Sequence, residues 1–257
     1  MDSSRFTYPA DLDPMWNRRL PEFTCAANAL SLLMPHVEPY VVRSTRAAVP
    51  LLEPELRAET ERYLRQEASH HREHRRFNDV VAARYPGVAS LECAMAATYR
   101  WLGRRGNLGF GVAYAAGFET IAFASARWIG PRVPRLFHGA DPSVARLFLW
   151  HLAEEVEHKS VAFDVQRAVS TSRAVQATAM VVALVLMAAF TLAGTVVLLA
   201  GERRLWHPVA WWRLAGWAIG FAFDVLPLLA VSLLPGHHPS RLADPSFGPE
   251  LDRLQPV

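Results

Sequence analysis

The sequence predicts an all-α chain: a four-helix bundle built around a di-metal site, with an apolar helical hairpin appended. Three observations carry this reading. Glu67-x-x-His70 and Glu155-x-x-His158 each place a carboxylate and an imidazole three residues apart in segments of helical character. At about 100° per residue the two side chains of such a pair sit roughly 60° apart on one helix face, so both can reach one ion. A lone glutamate precedes each pair, Glu38 before the first and Glu119 before the second. Beyond the second pair the chain turns apolar, with no charged residue from Ala174 to Ala200.

The elements follow in order. Residues 1–20 form an N-terminal arm, polar and Pro-containing as far as Asn17, expected to be loose. Residues 21–172 hold the bundle. Its first helix is apolar from Phe23 to Leu33, and Pro35 and Pro39 bracket Glu38. Proline removes a helix hydrogen bond, which puts Glu38 at a kink or near a helix start. A corner at Pro50 leads into a long charged helix, Glu53 to Arg84, carrying Glu67 and His70. Its antiparallel return brings Glu38 and Glu67 to a similar height. Tyr85-Pro86-Gly87 breaks the pattern. A short crossing helix, Leu91 to Leu102, then lets the third main helix run parallel to the second. That third helix, Gly106 to Ala126, is apolar except for Glu119. An unpaired buried carboxylate is costly unless something positive binds it. Asp141 caps the fourth helix and Pro142 stands in its first turn.

Residues 173–235 form the apolar hairpin. Ala174 to Ala200 is long enough as a helix to cross a bilayer core of about 30 Å. Leu214 to Leu234 is interrupted by Asp224 and Pro227. Between them Arg203, Arg204 and Arg213 alternate with Trp206, Trp211 and Trp212, a composition suited to a membrane–water boundary. The alternative is a fifth helix packed on the bundle or across a dimer. Residues 236–257 are a flexible tail.

Composition sets the outer bounds. The 257 residues suffice for a full core, and 51% are hydrophobic. The net charge of +3 comes from dispersed arginines, Lys159 being the only lysine, and no basic block suggests nucleic acid. Cys25 and Cys93 are isolated, with no CxxC pair and no secretory signal, which points to a reducing compartment.

Two Glu-x-x-His pairs, each with an upstream glutamate, make the ligand set of ferritin-like di-metal carboxylate bundles. His71 competes with His70 by helical spacing, but the second half has Lys159 in the equivalent place, so only the i+3 register is common to both. His74 and His151 also fall on the metal-facing side, as a third imidazole ligand, a proton donor or a polar neighbour; they are the catalytic candidates. Glu154 is assigned beside the site or to the surface. Asp79 and Asp164 are candidates to orient ligand histidines, and Glu73 and Glu157 are expected to face solvent.

The stretches QEASHHREHRRFN and WHLAEEVEHKSVAFDV resemble the signatures of the bacterial family described as predicted metal-dependent hydrolases. LSLLMPHVEPYVVRSTRA and GFETIAF fit its first-helix and third-helix glutamates, with Pro39 a departure from the pattern. The resemblance implies a ferritin-like fold with Glu38, Glu67, His70, Glu119, Glu155 and His158 as the metal set.

Four carboxylates and two imidazoles suit iron or manganese. The sequence therefore predicts two Fe ions, with Mn or mixed Fe/Mn as alternatives, in an oxygen-activating oxidase or monooxygenase. Glu67 and Glu155 are the expected bridges. Tyr114, Phe118 and Phe123 give a water-poor lining. The expected partners are an apolar substrate (lipid-like, acyl or quinone-like), an electron donor, a membrane surface and a second copy of the chain, with location on the cytoplasmic side of the inner membrane. A metal-dependent hydrolase using the same ligands is the alternative, and a non-catalytic iron-binding protein the second.

Overall fold

The computed structural model of the chain describes residues 6–9, 11–170 and 172–247. Among these residues there is no strand. The helices are α1 (Pro21–Ala48), α2 (Pro54–Arg84), α3 (Val88–Arg105), α4 (Leu108–Ile129), α5 (Val133–Leu136), α6 (Pro142–His158), α7 (Val161–Val169), α8 (Arg173–Gly201) and α9 (Pro208–Ser232). The glutamate and histidine side chains of the two half-motifs converge from α1, α2, α4 and α6.

Helix α2 shows how a highly charged sequence supplies a core face. Its buried residues Tyr63, Leu64, Glu67, His70, His74, Phe77, Asn78 and Val81 recur every three or four positions, so they form one stripe. The stripe is apolar at its ends and polar in the middle. Ser31 bonds both His74 and Asn78, at 2.7 and 2.6 Å, which ties α1 to α2. His74–His151 and Gln66–His158 bonds do the same for α2 and α6. The expected cap of α6 is present: Asp141 Oδ1 accepts from the Ser143 N–H at 2.8 Å.

Several expectations change. Glu38 is not near a helix start, because α1 runs from Pro21 to Ala48 and continues through Pro35 and Pro39. Pro35 has no N–H for the carbonyl four residues earlier, that of Ser31. Asn78 Nδ2 donates to that freed carbonyl at 2.8 Å, so the lost bond is replaced across the bundle. The described part of the arm is not loose. Phe6, Leu12, Met15, Trp16 and Asn17 are buried, and Trp16 Nε1 donates to Asn28 at 2.8 Å. In the tail, Pro239 and Phe247 are buried and Lys159 bonds Leu242 and Asp244; residues 248–257 lie outside the described part.

The apolar segment does not stand apart from the bundle. Helix α8 lies across α1 and α4 and buries Ala179, Met180, Ala183, Gly194 and Leu198. Two glycines permit this approach. A Cβ on Gly117 of α4 would lie 2.7 Å from Met180 Cα, and one on Gly194 would lie 2.6 Å from Ala29 Cβ. Of the arginines assigned to a membrane boundary, Arg204 and Arg213 instead clamp the buried Glu22 at 2.8 and 3.1 Å. Helix α9 packs on α4 and α1 and leaves most of its length exposed, with Trp206 just before it. Among the described residues three helical segments are long and apolar enough to cross a membrane, Leu108–Leu136, Arg173–Gly201 and Pro208–Ser232. The first contains the bundle helix α4.

Candidate metal centre

Helical spacing brings all six expected ligand residues together. Ligand atoms of Glu67, His70, Glu155 and His158 lie within 4.8 Å of one another, and so do those of Glu38, His70 and His151. The two groups share His70. His70 Nδ1 is 3.3 Å from Glu67 Oε1 and 3.5 Å from Glu155 Oε1. His158 Nδ1 is 3.0 Å from Glu67 Oε1 and 3.9 Å from Glu119 Oε2. Glu38 Oε1 is 3.7 Å from His151 Nε2. Glu38, Glu67, His70 and Glu119 are fully shielded from water, while His151 keeps 9% of its surface.

The fit to cations can be judged from what these atoms lack. Both oxygens of Glu38, both of Glu67, one each of Glu119 and Glu155, and Nδ1 of His70 and His158 are buried without a hydrogen-bond partner. Buried carboxylates cost several kcal/mol each unless positive charge offsets them, and the imidazoles near Glu67 offset only part of this set. Four carboxylates balance the charge of two divalent cations. The donors are hard oxygens with borderline imidazole nitrogens, a set suited to iron, manganese or zinc.

Electrostatics agree. Burial, then the charges of Glu67, Glu155 and Glu119, push Glu38 well above the usual carboxylate range. Burial and the same crowding raise Glu119 and Glu155. Burial acts the same way on Glu67, but the imidazoles of His158 and His70 overcome it and draw this carboxyl down to about 2. Burial opposes charge on His70, yet Glu154 and Glu67 outweigh it and lift the ring to about 9.

The surrounding residues hold the rings. His70 Nε2 donates to Glu154 Oε2 at 2.9 Å, and the same carboxylate accepts from Trp150 Nε1 at 2.7 Å. His158 Nε2 donates to Gln66 Oε1 at 3.2 Å. The Tyr63 hydroxyl donates to Glu119 Oε1 at 2.7 Å, leaving Oε2 for the centre. Such outer partners fix which nitrogen faces a metal. Sequence reasoning missed Tyr63, Gln66, Ser31 and Asn78. Tyr63 lies four residues before Glu67, and Asn78 four after His74, so the same-face rule that found the ligands reaches these two as well.

Of the competing histidines, His70 faces the centre, while His71 is half-buried and turned to the Glu67 carbonyl at 3.2 Å. His74 bonds Ser31 and His151 and stands behind the ligands. Asp164 pairs with His238 at 2.8 Å and Asp79 is exposed, so neither orients a ligand histidine. Glu73 is buried, not solvated, because Arg76 reaches back to it at 3.0 Å; Glu157 is exposed as expected.

A family model described as predicted metal-dependent hydrolase matches residues 3–243. The chain belongs to that family. No curated protein and no solved structure matches it. For this member of the predicted metal-dependent hydrolases, the match extends past the bundle through α8 and α9. The family's pattern therefore includes the apolar helices as well as the metal centre.

Proposed function

We propose that the chain is a metal-dependent hydrolase with a two-cation centre, acting on an acyl bond of an apolar substrate. The observation that carries the metal reading is the convergence of unpartnered, fully buried carboxylate and imidazole atoms from four helices. The family description supports hydrolysis. Glu38 and His70 would hold one cation and Glu119 and His158 the other, with Glu67 and Glu155 between them. Cations bound there supply Lewis acidity and lower the pKa of water.

The remaining work falls to the chain. Glu154 and Gln66 hold the two imidazoles in register. Tyr63 turns one oxygen of Glu119 to the centre. Tyr114, Phe118 and Phe123 exclude water from the α4 side. The less shielded edge is on α6, at His151 and Glu154, where Trp150 packs edge-on against His70 and Phe6 of the arm packs on Trp150. A substrate approaches from that edge. The test is metal-stripped protein reloaded separately with Mn2+, Fe2+, Zn2+ or Co2+ and given acyl esters of increasing chain length. Turnover that needs metal, rises with acyl length and is lost in Glu67→Gln is expected. No turnover with any metal would refute hydrolysis.

A specific observation favours a second reading, an oxygen-activating di-iron, manganese or mixed-metal oxidase. The donor set is rich in carboxylates, and a buried phenol, Tyr63, touches one of them. Anaerobic protein loaded with Fe2+ and then exposed to O2 separates the two. Uptake of O2 in proportion to bound iron, without ester turnover, supports the oxidase, which then needs an external electron donor.

The outward faces of α8 and α9 support a seat on the cytoplasmic face of the inner membrane, the source of an apolar substrate. Val185 and Leu192 on α8 and Trp212, Ile219 and Phe223 on α9 are exposed, with Arg213 and Asp224 as the charged residues beside them on α9. Exposed apolar surface of this extent marks an interaction site. Co-flotation with anionic phospholipid vesicles is expected. A stable detergent-free dimer that ignores vesicles would instead assign these faces to a second copy.

A further inference from the structure

The hydrogen bonds behind the centre have a direction, and following them outward to inward shows what His151 presents to the ligands. Pro35 leaves the Ser31 carbonyl without its helical partner, and Asn78 Nδ2 donates to it at 2.8 Å. A carbonyl can only accept, so the amide oxygen of Asn78 must be the atom facing Ser31 Oγ. Ser31 donates to that oxygen at 2.6 Å. Its single hydrogen is then committed, and toward His74 Nδ1, 2.7 Å away, Ser31 Oγ can only accept. His74 therefore carries its hydrogen on Nδ1. This ring is 1% exposed and its two nitrogens meet Ser31 and His151, so no carboxylate pairs a charge on it and the buried ring is neutral. Its Nε2 is bare and accepts from His151 Nδ1 at 2.7 Å.

A neutral His151 with hydrogen on Nδ1 has a bare Nε2. That nitrogen lies 2.8 Å from Glu155 Oε1 and 3.7 Å from Glu38 Oε1. Lone pairs from three residues meet there, and only a cation, or a proton in its place, can sit between them. We infer that His151 is a metal ligand through Nε2, the third imidazole of the centre, on the side of Glu38 and His70. His74, Ser31 and Asn78 are positioning residues that set its tautomer. His70 and His158 obey the same rule, each donating from its outer nitrogen, to Glu154 and to Gln66, and aiming the other inward. The two cations then differ: the one near Glu38 has two imidazoles, His70 and His151, while the one near Glu119 has His158 alone and a carboxylate held by Tyr63.

This inference rests on the metal-binding reading, and Co2+ alone tests both separately. A histidine bound to high-spin Co2+ through one nitrogen keeps a hydrogen on the other, which gives a strongly shifted proton resonance in H2O that is lost in D2O. The full chain loaded with Co2+ is expected to show three such signals. His151→Ala is expected to retain two, with weaker binding at one site. Ser31→Ala is expected to shift the His151 signal and leave the other two in place. Two signals in the wild-type chain would overturn the assignment without disturbing the metal centre, and that count does not depend on any variant folding. Failure to take up Co2+ at all would remove the metal reading and this inference with it.

Discussion

Replacing Glu38 with leucine separates a ligand from a structural residue, because the two roles predict opposite effects on the metal-free fold. Glu38 is fully buried, both carboxylate oxygens lack partners, and three more glutamates crowd it. A side chain of similar size without charge removes that desolvation and repulsion. Exchanges of buried ionic groups for apolar ones stabilise by about 1–4 kcal/mol. A chain of this length moves by about 2–4 °C per kcal/mol. Metal-stripped Glu38→Leu is thus expected to melt above the metal-stripped wild type at pH 8. Bound cation adds stability in proportion to the logarithm of its occupancy, so the variant should also lose much of the rise that Co2+ or Fe2+ produces. Thermal unfolding followed by circular dichroism, with chelator and with metal, reads both quantities. A variant that melts lower without metal and keeps the full metal-induced rise would refute the reasoning and make Glu38 a structural carboxylate.

Metal-free stability should also fall as pH rises. Glu38, Glu119 and Glu155 have folded pKa values above the ordinary carboxylate value. The stability they confer as neutral acids is full at low pH and is lost as pH climbs through those values. His70, raised from 6.5 to about 9, acts with the same sign over that window. Glu67, lowered from 4.5 to about 2, has the opposite sign, but its gain is complete above its ordinary pKa. Between pH 7 and 9, above the range in which the depressed His74 and His151 add stability as pH rises, melting of the stripped protein should therefore decline, and a rise would refute the pKa assignments. His70→Ala should abolish assembly of the two-cation centre while His71→Ala leaves metal content near wild type, as read by elemental analysis; a reversal would mean that α2 is rotated in solution. Tyr63→Phe removes only the bond to Glu119 and should weaken metal binding by about 10–100-fold with little change in helix content; unchanged affinity in a Co2+ titration would deny Tyr63 its positioning role.

The ligand set was legible because it depends on short-range geometry. Glu67 and His70, or Glu155 and His158, share a helix face wherever the helix goes, and Glu119 stands out as a carboxyl in an apolar run. What escaped depends on distant contacts. Trp16 and Phe6 lie in a polar, Pro-containing stretch, and their burial follows from aromatic neighbours such as Phe148 and Trp150 far along the chain. Glu22 lies 182 residues before Arg204 and meets it and Arg213 through the tertiary fold. Glu73 looked solvated because its shield, Arg76, is one turn away and charged too. An apolar run such as Ala174 to Ala200 reads alike whether lipid or protein covers it. Here protein covers one side and the other remains bare.

The close seating of α8 bears on ion choice. At Gly117 and Gly194 the chain has no room for a Cβ, against Met180 and Ala29 respectively, so α8 has a close seat on α4 and on α1. Glu38 and Glu119 ride on those two helices, and Gly117 is half a turn from Glu119. Thickening either seat would move α4 or α1, and with it Glu119 or Glu38, against the rest of the centre. Valine at either glycine would lift α8 from its seat, and its first measurable effect should be a changed preference among Mn2+, Fe2+ and Zn2+, which differ in radius but carry the same charge.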